Sequence, residues 1–123
     1  MASLSNNVFD SGLDYLDTNA SHLYICSTEP TTYTEAITTY ALGNKATPTI
    51  AAPSDKAGGG RECVVSAITD GSVTADGTAA FYGIVYAGGT ELLAAGSLSS
   101  SQSVTNGNTF TLTEFAVGIP DPA

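Results

Sequence analysis

The sequence predicts a mainly β protein, an antiparallel sandwich or barrel-like sheet of about six to eight short strands with one short N-terminal helix. Three observations carry that expectation. Residues 61–119 are punctuated by Asp70-Gly71, Asp76-Gly77, Gly88-Gly89 and Asn106-Gly107, dipeptides that tolerate the positive φ of two-residue hairpin loops. The segments between them are short runs of Val, Tyr, Phe, Leu and Thr, the residue types that fit a pleated, half-buried surface. Finally, 42% of the 123 residues are hydrophobic and only 12% are charged. That is enough apolar material for one packed domain, and half the usual charge.

Taken in order, residues 4–20 read as the one sizeable helix. Leu4, Val8, Leu13, Leu16 and Ala20 fall near one stripe, with Asp10, Asp14 and Asp17 mostly off it. Gly12 weakens it by up to about 1 kcal/mol, so such a helix needs a surface to pack on. Residues 21–27 alternate as a strand, Leu23 and Ile25 on one side and His22, Tyr24 and Cys26 on the other, ending at Glu29-Pro30. Thr32-Tyr33-Thr34-Glu35 has the form of a capping box and predicts a short helix to about Thr39, after which Gly43-Asn44 acts as a stop.

Residues 45–60 form a loop of Ala, Thr, Pro, Ser and Gly ending in Gly58-Gly59-Gly60, within which residues 47–52 can add an edge strand. Beyond it the expected strands are 62–69, 72–75, 78–87, 91–98 and 109–119, with a weaker one at 102–105. Residues 78–87 are apolar on both faces, which predicts a strand covered on both sides. In 109–119 the apolar parity switches from Phe110 and Leu112 to Phe115, Val117 and Ile119. A strand cannot change its buried face without an interruption, so a bulge or bend is expected near Thr113-Glu114. The whole reads as a single domain: a helical arm at 1–20, a Gly/Pro-rich loop at 45–60 and a β body at 61–119.

Charge and composition exclude several function classes. Twelve acids against three bases give a net charge of −9, which disfavours both nucleic acid and an anionic membrane surface. No apolar run reaches the length of a membrane span, and the start lacks the basic and apolar regions of a signal peptide. Synthesis in the cytoplasm is the expectation. Cys26 and Cys63 are too few for a disulfide framework and are expected as buried free thiols. The three bases, Lys45, Lys56 and Arg61, cluster in or beside the loop, either as solvated charges or as a small positive contact point.

Residue types that carry chemistry are sparse. His22 is the sole histidine, so neither a histidine metal site nor a Ser/His/Asp set can be assembled without it. Cys26 lies two alternations further along the same strand face, about 13 Å from His22, too far for proton transfer. Gly58-Gly59-Gly60-Arg61 lacks the Lys-Ser/Thr ending of a phosphate loop. Asp70 and Asp76 do not have EF-hand spacing and are explained as turn residues. No enzyme activity, cofactor or metal is expected. Six Tyr, four of them in the first 40 residues, with no Trp, fit either ordinary strand packing or a contact region.

Several stretches resemble a known group. They are Asn7-Val8-Phe9-Asp10-Ser11-Gly12-Leu13, Tyr24-Ile25-Cys26-Ser27-Thr28-Glu29-Pro30-Thr31-Thr32-Tyr33, Asp70-Gly71-Ser72-Val73-Thr74-Ala75, and the run from Gly96 to Leu112 with its Ile119-Pro120-Asp121 ending. Together they resemble small virion structural proteins of tailed bacteriophages, of the capsid decoration (cement) type. The resemblance implies a β-rich homo-oligomer, trimeric by preference. It would bind the major capsid protein lattice on the capsid exterior after synthesis in the host bacterial cytoplasm, with no active site. A tail or fibre component, or a carbohydrate- or ligand-binding sandwich, is the alternative. The interface expected on this reading comprises Leu4, Val8, Phe9, Leu13 and Leu16 of the helix, Tyr33 and Tyr40, and Lys45, Lys56 and Arg61.

Overall fold

A computed structural model describes residues 6–119. It shows a mainly β chain whose six-stranded antiparallel sheet is curled, with one helix near the N-terminus. Helix α1 (Asn6–Asn19) leads into β1 (His22–Cys26), a single π-helical turn at Glu35–Thr39, β2 (Ala41–Ala46) and the two-residue β3 (Ser54–Asp55). Then come β4 (Arg61–Val65), β5 (Ile68–Val73), β6 (Gly77–Tyr86), β7 (Glu91–Val104), β8 (Thr109–Leu112) and β9 (Phe115–Ile119). The large sheet has the order β7-β6-β1-β2-β5-β8, and β3-β4-β9 form a second, smaller sheet. Nine strands among the described residues thus exceed the six to eight expected.

The curl follows from chain connectivity. Strands β7 and β8 lie at opposite edges of the six-stranded order, yet only residues 105–108 join them. In a flat sheet five strand spacings separate these edges by about 24 Å, whereas the link reaches about 17 Å at full stretch. The sheet must therefore roll until its edges approach. The turn at 105–108 is pinned in place: the Asn106 amide donates to Asp76 Oδ1 at 2.7 Å and the Gly107 amide to the Val73 carbonyl at 3.0 Å.

Inside the roll lies the core of Leu23, Ile25, Leu42, Ile68, Val73 and Ile84, together with Tyr82, Phe110 and Leu112. Strand β1 keeps the expected alternation with Leu23 and Ile25 inward; Cys26, on the opposite face, is buried as well, its thiol 3.7 Å from the Ala36 carbonyl. Strand β6 is covered on both sides, as its two apolar faces predict. Tyr82 and Ile84 enter the core, while Gly83 lies under Pro30 and Ala36 of the segment between β1 and β2. That segment is nucleated by the expected cap. The Glu35 amide donates to Thr32 Oγ1 at 3.1 Å, and the Glu35 carboxylate accepts from the Thr31 amide and hydroxyl, both at 2.8 Å. The turn it starts is of the wider π type, closed by the Tyr40 amide on the Glu35 carbonyl at 2.9 Å.

The parity switch in 109–119 marks a change of sheet. Strand β8 ends at Leu112 beside β5, and β9 begins at Phe115 beside β4. Thr113-Glu114 is the bend between them. Val65 and Phe115 are register partners, as are Cys63 and Val117. Their common face closes the core and carries α1, whose Phe9, Leu13 and Leu16 recur at intervals of four and three and are buried. The observed stripe differs from the expected one. Phe9 replaces Val8, because a helix turns about 100° per residue and the larger ring removes more apolar surface from water. Leu4 lies outside the described residues.

Three turn signals correct the reading of the sequence. Gly43-Asn44 does not stop a strand but sits within β2, where a Cβ on Gly43 would run into the Ser72 carbonyl oxygen of β5. Asp70-Gly71 is not a hairpin turn but a bulge inside β5, where a Cβ on Gly71 would run into the Phe110 ring. Gly58-Gly59-Gly60, expected as the end of a long loop, is a tight β3–β4 turn, with successive φ of 88°, 108° and 96° that favour glycine at all three places. Further changes are of extent: residues 47–52 contribute the single bridge Ile50–Val65, 62–69 breaks after Val65, and 91–98 merges with 102–105 into β7.

Two substitutions test this packing. Gly71→Ala must displace the buried Phe110 ring and is expected to cost about 1–3 kcal/mol. Phe9→Ala, which empties the helix–sheet contact, is expected to cost about 3–5 kcal/mol. Urea unfolding of both variants reads these losses; a Gly71→Ala variant as stable as the parent would contradict the Phe110 placement.

Candidate docking surface and seam cavity

Helix α1 presents two unlike faces. Phe9, Leu13 and Leu16 point into the protein, whereas Val8 and Tyr15, seven residues apart and therefore on one side, are 57% and 49% exposed. These two are the exposed large hydrophobic residues among the described residues. Ser11 and Gly12, also exposed, lie between them along the helix. The Tyr15 hydroxyl donates to Glu91 Oε1 at 2.6 Å, which fixes the ring and raises its pKa.

Two of the three bases expected to form a positive contact point, Lys45 and Arg61, pair with acids within the chain. Lys45 Nζ lies 3.0 Å from Asp70, and Lys56 lays its stem across Gly118. Arg61 bridges Asp10 of α1, at 2.9 Å and 3.2 Å, and Asp55 of β3, at 2.7 Å. These carboxylates raise the pKa of the Arg61 guanidinium further. The Arg61 fork thus ties the helix to the β3–β4 hairpin, and Cys63 is sealed beneath it with its thiol toward the Leu13 carbonyl at 3.8 Å. Of the other expected contact residues, Tyr33 and Tyr40 are half-buried, and the Tyr40 amide donates to the Glu35 carbonyl. The structure therefore joins the helix with Arg61 and turns Phe9, Leu13 and Leu16 away from solvent.

A second feature is the seam where the rolled sheet fails to close. Opposite Ala79 to Phe81 of β6, the register of β7 passes from Gln102 to Ser97, so Leu98–Ser101 have no β6 partner. Strand β8 pairs with β5 on one side and, among the described residues, has no strand on the other. Side chains span the gap instead: the Gln102 amide donates to the Thr111 carbonyl at 2.9 Å, and the Ser99 and Thr113 hydroxyls lie 3.4 Å apart. Between these edges is a cavity of about 430 Å³. Tyr82 and Phe115 form its floor, their rings tilted at 42° with centroids 4.5 Å apart. Burial pushes the Tyr82 phenol pKa up, with Glu29 adding to the effect.

Sequence reasoning did not single out these cavity residues. Two signals pointed to them: the parity switch that delivers Phe115 to the floor, and the serine-rich run 97–103, which interrupts the apolar alternation of β7. Among the described residues no group of three or more His, Cys, Asp or Glu side chains is placed to hold a metal ion. Among the same residues no helix is long and apolar enough to cross a membrane.

Burial pushes both thiols, Cys26 and Cys63, from the ordinary value of 9.0 up to about 11. Because the folded state holds these protons more tightly, their contribution to stability is complete below pH 9.0, declines above it and is lost by about pH 11. Native protein at pH 8 is therefore expected to resist Ellman's reagent, with both thiols reacting after denaturation. Arg61→Ala, by loosening the helix over Cys63, is expected to raise labelling of that thiol about tenfold while leaving Cys26 protected. Equal labelling of the two would contradict the tether.

No family model, no curated protein and no solved structure matches this chain.

Proposed function

We propose that this protein is a structural docking subunit of a tailed-bacteriophage head: a decoration protein that binds the capsid lattice and stabilises the assembled shell. The observation that carries this reading is the two-faced helix. One face is fastened into the fold, while Val8 and Tyr15 stand in solvent on a body otherwise rich in hydroxyls. Exposed large apolar side chains on a rigid element are what an interface anchor requires. Electrostatics supports the same reading. Lys45 and Arg61 are neutralised internally on a chain of net charge −9, so the complementary surface on the shell is basic. A lattice presents many copies of such a surface, and modest contacts sum to a large stabilisation by mass action.

Cosedimentation with undecorated phage heads tests the proposal. The parent protein is expected to pellet with heads, and to do so less well as NaCl rises from about 50 to about 500 mM, because screening weakens the charge attraction. Val8→Glu, at an exposed site, is expected to leave the melting curve unchanged and to reduce binding at least about tenfold. Light scattering is expected to report a trimer. Failure of the parent protein to associate with heads at any salt concentration would end this reading.

A further inference from the structure

We infer that the seam cavity is a binding site for a small, uncharged, amphipathic molecule, one with an apolar ring or short alkyl body and a hydroxyl or amide group. The chemistry of the lining sorts by depth. Ile68, Leu112 and Tyr82 are buried at the inner end beside Phe115, and Leu98 adds an apolar wall. The outer end is lined by Ser97, Ser99, Ser100, Gln102, Thr111 and Thr113. A ligand that enters apolar end first leaves its polar group among these donors and acceptors, the arrangement by which small-molecule sites set orientation.

None of the thirteen lining residues is an Asp, Glu, Lys, Arg or His. An ionised ligand would lose its hydration there without gaining a counter-charge. An anion meets a further obstacle: Glu29 acts on Tyr82, and Glu114 follows Thr113 at the rim. The volume of about 430 Å³ falls within the range of small-molecule sites.

The roll also explains why the space exists. A six-stranded barrel that closed its ladder would fill its interior with side chains. Here four residues of β7 stand out of register with β6, and the free edges of β7 and β8 are bridged through side chains. At one end the 105–108 link holds the edges together, and further along the β7 bulge lets them part. The cavity sits at this second place, against the hydrophobic core.

Two dyes that share an aromatic body separate the possibilities: neutral N-phenyl-1-naphthylamine and its sulfonated relative 8-anilinonaphthalene-1-sulfonate. The neutral dye is expected to bind the intact protein, one per chain, with Kd below about 100 μM, and the sulfonated dye at least about tenfold more weakly. Ser99→Trp and Thr113→Trp each place an indole at the rim from an exposed position and are expected to weaken the neutral dye at least about tenfold with the melting curve unchanged. Two positions are used so that a folding defect in one leaves the other to decide. Val8→Glu, on the helix, is expected to bind the neutral dye like the parent, so this result and the docking result are read independently. Absence of neutral-dye binding, equal binding of the sulfonated dye, or unchanged binding by a folded rim variant would each overturn the assignment.

Discussion

The short link between β7 and β8 is the constraint on which the rest of this structure depends. Four residues have to connect strands at opposite edges of a six-stranded order, so the sheet has to roll, and rolling creates an inside. The core residues of β1, β5 and β6 meet because of that roll. So do the two free edges, which approach without forming a backbone ladder between them. The Asp76 carboxylate that receives the Asn106 amide fastens the link to the β5–β6 connection, and thereby fixes the end of the roll where the edges are held close.

A second consequence follows at the other end. The chain leaves β8 and crosses to β9 through Thr113-Glu114, which carries Phe115 from the rolled sheet to the smaller one. Phe115 then lies against Tyr82, so one ring of the cavity floor belongs to each sheet. The smaller sheet also supplies the surface on which α1 rests, through Cys63 and Val65. Helix, small sheet and cavity floor are thus coupled through β4 and β9. A disturbance of the helix tether at Arg61 has a short physical route to the floor, by way of the Cys63–Val117 and Val65–Phe115 pairs.

Much of this was legible in the sequence, and the limits have physical causes. The helix, the inward Leu23 and Ile25, the doubly covered β6 and the break at Thr113-Glu114 all follow from apolar periodicity, which local sequence records directly. The glycines misled where their reason was close approach rather than turn geometry. Gly71 is small because the Phe110 ring lies on it, and Gly43 because the Ser72 carbonyl does. Both neighbours come from distant parts of the chain, and no local dipeptide rule encodes them. The same holds for the bases. Lys45, Lys56 and Arg61 read as a cluster along the chain, but the fold brings Asp10 and Asp55 to Arg61 and Asp70 to Lys45. The cavity was the least legible feature, since it arises from pairing that fails to occur between β7 and β8.

The distribution of charge ties these features together. A chain with three bases and twelve acids has little cationic material with which to fasten its parts. Two of the bases bridge segments far apart in sequence: Arg61 joins α1 to the β3–β4 hairpin, and Lys45 joins β2 to β5. Once they are engaged, the outer surface of the described residues is left to acids, hydroxyls, the single ammonium of Lys56 and two exposed apolar side chains on one helix face, and the cavity to uncharged residues. Charge thus directs the exterior toward basic surfaces, while its absence from the cavity directs the interior toward neutral molecules. A single shortage of cations accounts for both preferences, and for why they occupy different parts of the fold.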